Sequence, residues 1–351
     1  MRFIHIADVH LGAKPDAAEA YSKTREREIW TSFKRIIDRC REENTDLLLI
    51  AGDLFHRQPL LRELREVNAL FSTLEKTSVV LCVGNHDYLK KDSYYRTFSW
   101  AGNVHVILQN ILDVAELPEI QTAVYSFSYH EKEREDLPYR GQKAKGLQPI
   151  EILMVHGGDA KHVPFKKEDL ASYGYDYVAL GHIHKPQIII PDYMAYSGAL
   201  EPIDKNDIGA HGYIAGEITD AGCHIEFVPF ASREYVPMEV MVDAKMSAFE
   251  LAQKVKEKIE KRGTANIYRV TLKGYRNPDT LLRTDVLDAY GNILEVFDET
   301  KPAYDFAKLR VQNQDNILGN LIAEFSEYDE NSVEYRAMCE GVQALMETRR
   351  G

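Results

Sequence analysis

With 351 residues, 44% of them hydrophobic and 28% charged, the chain has the balance of a globular protein longer than one ordinary core requires. No run approaches the roughly 20 apolar residues of a membrane helix, and the start, Met1-Arg2-Phe3-Ile4-His5-Ile6, reads as a strand rather than a signal peptide. A net charge of −12 argues against coating nucleic acid by bulk attraction. Residues 1–100, however, hold 16 Lys+Arg against 15 Asp+Glu, so the acidic excess lies later in the chain. Four cysteines, Cys40, Cys82, Cys223 and Cys339, lie far apart with no C-x-x-C pair. They read as core or helix residues of a protein in a reducing compartment, with the cytoplasm as the expected location.

Taken in order, Phe3–Ala7 reads as a strand, and residues 25–42 place Ile29, Phe33, Ile36, Ile37 and Cys40 on one helical face. Leu47–Ala51 is a continuous apolar run, as expected of a strand buried on both sides. A helix is expected near 62–75, then strands over 79–83, 152–155 and 177–180, and a strand-rich stretch over 195–230. This alternation predicts an α/β fold, a layered sandwich of sheets flanked by helices. Residues 236–300 read as a separate small β-α-β-α-β unit. Its strands lie at 236–242, 267–272 and 293–297, and its helices at 247–261 and 279–289. The first of these helices aligns Phe249, Ala252, Val255 and Ile259, and Gly263 suits the position just past its end. In the last fifty residues, Ile317, Leu318, Leu321, Ile322 and Phe325 form one apolar stripe. Met338, Val342, Leu345 and Met346 form another, and Asn331 with Glu334 resembles a helix cap.

Five short motifs each follow an apolar strand: Asp8-Val9-His10, Gly52-Asp53, Gly84-Asn85-His86-Asp87, His156-Gly157 and Gly181-His182-Ile183-His184. Ligand sites of open α/β sheets gather beyond the carboxyl ends of strands, so all five can converge on one rim. Carboxylate, imidazole and carboxamide together suit manganese, iron or zinc. The x-spaced pairs Asp8/His10 and His182/His184 can serve adjacent positions, and Asp53 can bridge two ions held about 3.5–4 Å apart. Any one of these motifs is weak by itself: D-x-H occurs by chance, and a Gly-Asn pair is most simply a turn. Their conjunction, in order, points to a dinuclear site for phosphoester hydrolysis. Arg57, Lys90, Lys91 and Lys185 lie close to the motifs and can favour an anionic substrate.

The order D-x-H, G-D, G-N-H-D, H-G, G-H-x-H resembles that of the calcineurin-like metallophosphoesterases, over roughly the first 200 residues. The resemblance implies that Asp8, His10, Asp53 and His184 hold one ion and Asp53, Asn85, His156 and His182 the other. It makes His86 a catalytic histidine that assists the leaving alkoxide, with Asp87 orienting it. Within that superfamily Gly52-Asp53-Leu54-Phe55-His56-Arg57 is similar to the SbcD-type DNA repair nucleases, which implies His56 beside the active site; protein phosphatases carry G-D-x-V-D-R-G instead. Tyr196-Ser197-Gly198 resembles the segment that closes the catalytic domain.

By the same resemblance, residues 1–235 form the catalytic domain and 236–300 a capping domain that shapes DNA access. The helices within 301–351 dock on an SbcC-like coiled-coil ABC ATPase. Helices near 62–75 and 92–100 pair across a homodimer, although the stripe Leu64, Val67, Leu70, Phe71 and Leu74 serves an internal core equally well. The leading expectation is thus a manganese-dependent DNA exo- and endonuclease. Its rivals are a small-molecule phosphodiesterase of the same superfamily and a metal-bound, non-catalytic scaffold for the ATPase.

Overall fold

Alternation along the first strand decides how the amino-terminal unit is layered, because successive strand side chains point to opposite faces. In the computed structural model, which describes residues 1–19, 21–278, 286–329 and 332–348, β1 (Arg2–Ile6) sends Ile4 and Ile6 to one side and Phe3 to the other. α1 (Ser22–Glu42) buries Ile29, Phe33, Ile36, Ile37 and Cys40 on the Ile4 side. β2 (Leu47–Ala51), α2 (Leu61–Phe71), β3 (Ser78–Cys82) and β4 (Val104–Ile107) follow. Every residue of β2 and β3 is buried, as a parallel strand covered on both faces should be. Then come β5 (Asp113–Leu117), β6 (Thr122–Ser126), β7 (Ile150–His156), α3 (Lys167–Ala171) and β8 (Tyr177–Gly181). β9 (Gln187–Ile190), β10 (Met194–Tyr196), β11 (Gly212–Thr219) and β12 (Gly222–Pro229) complete the strands of this unit.

Two six-stranded sheets result, in the orders β12-β11-β1-β2-β3-β4 and β5-β6-β7-β8-β10-β9. In the first, β1 to β4 run parallel and β11 returns antiparallel beside β1. In the second, β6, β7, β8 and β10 are parallel between antiparallel edges. Phe3, Leu49, Val80, Met154, Tyr177 and Ala179 fill the space between the sheets. α1 and α2 cover the outer face of the first sheet, and Tyr125, Phe127, Tyr139 and Tyr175 belong to the layer outside the second. This is the expected sandwich flanked by helices. Because β1, β2 and β3 are parallel neighbours, and β7 and β8 likewise, each set delivers its carboxyl ends to one edge. His156 Nδ1 on the Ala51 carbonyl, at 2.8 Å, ties those edges together across the two sheets.

Several local expectations need correction. α2 stops at Phe71, and residues 92–100 contain one 3-10 turn, Tyr94–Arg96, in place of a helix. Tyr95 is buried with its hydroxyl on Asp87, and the Arg96 guanidinium reaches the Leu89 and Lys90 carbonyls, so side chains rather than a helix organise this segment. Leu64, Val67, Phe71 and Leu74 lie in the same core as α1, with Leu70 packed against it, so the stripe on α2 is used within the chain.

The described chain forms two compact units, Met1–Tyr235 and Val236–Gly351. The second is built from β13 (Tyr235–Val242), α4 (Ala248–Arg262), β14 (Ile267–Arg276), β15 (Ile293–Asp298) and β16 (Lys301–Pro302). Its sheet has the order β13-β14-β15, with β16 also paired to β14. Ser247 and Glu250 form a capping box at the start of α4, and Gly263 follows its end with φ 124°. Leu251, Val255 and Ile259 make the buried line of α4, whereas Phe249 is 77% exposed, two positions and about 200° around the helix from Leu251. The expected helix over 279–289 falls mostly outside the described residues, as does Asn331. α5 (Phe306–Gln312), α6 (Ile317–Phe325) and α7 (Val333–Thr348) close the unit. The stripes of α6 and α7 meet through Leu318, Ile322, Met338 and Val342; Ile317, 71% exposed, lies off that seam. Ser332 Oγ accepts from the Tyr335 amide at the start of α7. Among the described residues no helix is long and apolar enough to cross a membrane.

Candidate metal centre

The loops that leave β1 and β2 are laced to one another before any side chain is considered. Asp8 N donates to Gly52 O, His10 N to Asp53 O and Leu11 N to Leu54 O. This lacing holds Asp8, His10 and Asp53 at φ of 49°, 51° and 51°, and His182 on the second sheet has φ 92°. Left-handed backbone costs a non-glycine residue roughly 1–3 kcal/mol and persists only where the surroundings enforce it. The neighbouring glycines answer to space: a Cβ on Gly52 would enter the His156 ring, and one on Gly84 the Asp53 carboxylate.

The seven expected ligands come together. His10 Nε2 lies 3.2 Å from His184 Nε2 and 3.8 Å from Asp53 Oδ2, and Asp8, His10 and His184 offer ligand atoms within 4.8 Å of one another. On the other side of Asp53, His156 Nε2 is 3.4 Å from Oδ2. Asn85 Oδ1 stands 2.8 Å from His156 Nε2 and 3.1 Å from His182 Nδ1. Asp53 therefore lies between two groups of donors, and its Oδ1 is fixed by the His86 amide at 2.8 Å. The His182 amide holds Asp8 in the same way, at 2.9 Å.

The donor set fits divalent cations. His156 gives its Nδ1 proton to the Ala51 carbonyl and His184 gives its own to Asp207, at 3.1 Å. Neutral imidazoles so held turn their Nε2 lone pairs inward, where they meet only other acceptors: Asp53 and Asn85 oxygens, or the His10 nitrogen. Without cations, protons must relieve this crowding, and the electrostatics show it. Burial opposes charge on His156, but Asp53 overrides it and raises its pKa to about 9. Asp207 does the same for His184 against its burial, also to about 9. Burial raises Asp8 to about 6, lowers His182 to about 4 and pushes His10 well below its ordinary value. Asp53 is lowered despite its burial, chiefly by His156.

The other expected residues separate into two kinds. The His86 ring stacks on His56 with centroids 5.1 Å apart and meets His10 edge-on at 4.7 Å, and its Nδ1 faces the His56 carbonyl at 3.3 Å. His56 Nδ1 lies 3.4 Å from His10 Nδ1. Both rings border the seven expected ligands, and with His10 they present ligand atoms within 4.8 Å of one another. Asp87 does not orient the His86 ring. Its carboxylate accepts from Phe55 N, Gly84 N and the Tyr95 hydroxyl, fastening two motif loops from beneath, and burial lifts its pKa to about 7. Arg57 is held by both carboxylate oxygens of Glu63, and Lys90 sits over the Tyr88 ring. Ala199, just after the Tyr196-Ser197-Gly198 segment, donates its amide to the His184 carbonyl and so anchors the fifth motif.

Sequence reasoning missed Asp207, on His184, and Asp159 with His162, beside His182. Asp207 lies 23 residues beyond its partner in a loop without local signature, and only the return of that loop reveals it. Asp159 was within reach, three residues after a motif histidine and three before another histidine.

The calcineurin-like phosphoesterase profile matches residues 1–186. Among curated relatives, the metallophosphoesterase YhaO of Bacillus subtilis is 27% identical over 304 residues, 78% of this chain and 72% of its own length. The DNA double-strand break repair protein Mre11 of Methanocaldococcus jannaschii is 29% identical over 276 residues, 73% of each chain. A component of the nuclease SbcCD of Staphylococcus epidermidis is 23% identical over 359 residues, 90% of each. With more than half its length in that profile and the motif residues gathered on one rim, the chain belongs to the calcineurin-like phosphoesterase family, a family of hydrolases.

Proposed function

We propose that this chain is a dinuclear-metal phosphodiesterase acting on DNA, an exo- and endonuclease working within a repair complex. Asp8, His10, Asp53 and His184 hold one ion and Asp53, Asn85, His156 and His182 the other, with manganese as the expected metal. The observation that carries this reading is the convergence of inward lone pairs from five loops on either side of Asp53. When bound, the ions lower the pKa of a water and neutralise charge on the phosphate. The chain's own residues do the rest. The His86 amide holds Asp53 Oδ1 between the two groups of donors, where the carboxylate would serve both ions. The His86 ring, with Nδ1 donating to the His56 carbonyl, would act in its doubly protonated form, whose Nε2–H gives its proton or a hydrogen bond to the departing sugar oxygen. His56, stacked on that ring, limits its rotation and offers a second imidazole to the phosphate.

DNA as substrate is supported by relatives named for double-strand break repair and as part of a nuclease. We further propose residues 1–235 as the catalytic domain, 236–300 as a capping domain and 301–351 as the segment that binds an SbcC-like coiled-coil ABC ATPase, with the cytoplasm as the location. Because the stripes of α6 and α7 face each other, that docking falls to outward residues such as Ile317, Tyr328 and Val333. A homodimer would likewise use residues other than the buried line of α2.

A small-molecule phosphodiesterase remains the rival, favoured by the net charge of −12 and by the engagement of Arg57 with Glu63. Hydrolysis of single- and double-stranded DNA and of bis-p-nitrophenyl phosphate, with manganese, separates the two. A nuclease that contacts several phosphates loses DNA cleavage steeply with salt while the model ester responds little. Turnover of the ester with no DNA cleavage at low salt would refute the nuclease assignment.

A further inference from the structure

Each histidine of the Gly181-His182-Ile183-His184 motif has a carboxylate behind it, and the two carboxylates come from unrelated loops. His184 has Asp207; His182 has Asp159, whose Oδ2 lies 2.7 Å from Nε2. We propose that Asp159, seconded by His162, is a positioning residue for the second ion. It fixes the His182 tautomer so that Nδ1 carries the lone pair directed toward the Asn85 and His156 side of the centre. This rests on the metal-centre reading above and deepens it.

The geometry places a proton on His182 Nε2. This nitrogen faces a carboxylate that only accepts when ionised, so a proton belongs on Nε2, and Nδ1, 3.1 Å from Asn85 Oδ1, is the nitrogen left to offer a lone pair to an ion. Asp159 is itself not free to turn away. Oδ1 accepts from the Lys161 and His162 amides at 2.8 and 3.0 Å, and His162 Nδ1 lies 2.8 and 3.0 Å from the two carboxylate oxygens. The loop that carries both residues is braced in turn. Gly158 N donates to His162 O at 2.7 Å, the Tyr196 hydroxyl donates to Gly157 O, and Val163 is held at φ 46°. The His162 and His182 rings lie 4.4 Å apart, tilted by 43°.

Asp159, His162 and His182 also present ligand atoms close enough for a metal of their own. Two features favour positioning instead. Two backbone amides and an imidazole already occupy Asp159 Oδ1, and a cation on His182 Nε2 would displace the proton that leaves Nδ1 a neutral ligand. A carboxylate behind a ligating imidazole typically governs about 10–100-fold in metal affinity.

Manganese titration of the full chain, by calorimetry and electron paramagnetic resonance, tests the assignment alongside the ¹⁵N tautomer pattern of the metal-free histidines. Wild type is expected to bind two ions. Asp159→Ala should weaken one site about 10–100-fold, leave the other unchanged and lose the Nε2–H pattern of His182. Asp159→Asn keeps an oxygen acceptor for Nε2–H and should recover most of that affinity, which a general loosening of the loop would not predict. Asp207→Ala should weaken the opposite site. Two unaltered sites in Asp159→Ala overturn the proposal, as does a third ion in wild type that this substitution removes. A wild-type chain that binds no ion overturns the metal-centre reading itself.

Discussion

Replacing Gly84 by alanine puts a single methyl group against the residue on which the whole centre turns. Gly84 does not occupy the left-handed region, so alanine adds no backbone strain there; the penalty is steric. The new Cβ would overlap Asp53 Oδ1 and lie 2.6 Å from Asp53 N and 2.8 Å from Asp53 Cγ. Restoring ordinary contact requires a shift of roughly 1.2 Å between the Cβ and the Asp53 carboxylate, in an interior packed too densely to absorb it freely. Overpacking of this kind costs about 1–3 kcal/mol. At about 2–4 °C per kcal/mol for a unit of this size, Tm should fall by several degrees. Displacing a catalytic group by about 1 Å costs on the order of 100-fold in turnover. The assay is hydrolysis of bis-p-nitrophenyl phosphate with manganese, beside metal content and a melting curve. Gly102→Ala, where nothing lies within 4 Å of the added methyl, is the neutral control. Wild-type turnover and two bound ions in Gly84→Ala would refute the claim that this glycine makes room for the Asp53 carboxylate.

Other perturbations probe separate parts of the argument. His86→Ala should keep both ions, since the ring is not among the seven proposed ligands, while turnover drops about 10²–10⁴-fold; undiminished rates would remove His86 from leaving-group chemistry. Glu201→Ala should destabilise by about 1–3 kcal/mol, because it strips the acceptor from the Ser32 hydroxyl and the Ser232 amide while Arg25 keeps Glu28; a Tm within a degree of wild type would contradict this. Phe33→Ala, which empties a buried ring packed 5.9 Å from Phe71 between α1 and α2, should cost about 3–5 kcal/mol in thermal or urea unfolding. Burial alone would raise the Glu28 pKa, but Arg233 and Arg25 override it and hold the group at about 2. Its folded pKa is therefore depressed: the stabilisation is complete above the ordinary value of 4.5 and is lost as pH falls toward 2. Glu28→Gln should flatten the decline of Tm across that window, and parallel acid profiles of the two proteins would show the ion pairs to be inert.

Local chemistry made a large part of this protein legible without coordinates. Continuous apolar runs at 47–51, 79–83 and 152–155 announced strands, because an uninterrupted apolar strand is favourable where both of its faces are buried. The motif residues announced themselves because each sits immediately after such a run, where a parallel sheet must turn. Period-3.6 stripes placed α1, α4, α6 and α7, yet they could not say what each stripe meets. Phe249 turned outward, Ile317 left its seam, and the line on α2 went to the core of its own unit. A stripe shows only that a face is apolar.

What tertiary structure decided was partnership between residues distant in sequence. Asp87 binds Phe55, Gly84 and Tyr95 instead of its neighbour His86, because the loops close over it from beneath. Asp207 and Asp159 reach the two histidines of the last motif from loops whose paths depend on the packed sandwich, and the left-handed backbone at Asp8, His10 and Asp53 exists only because neighbouring loops hydrogen-bond it in place. The identity of the donors follows from residue chemistry and position after a strand. Their tautomers, strain and supporting carboxylates come from long-range contacts, which no local sequence window contains.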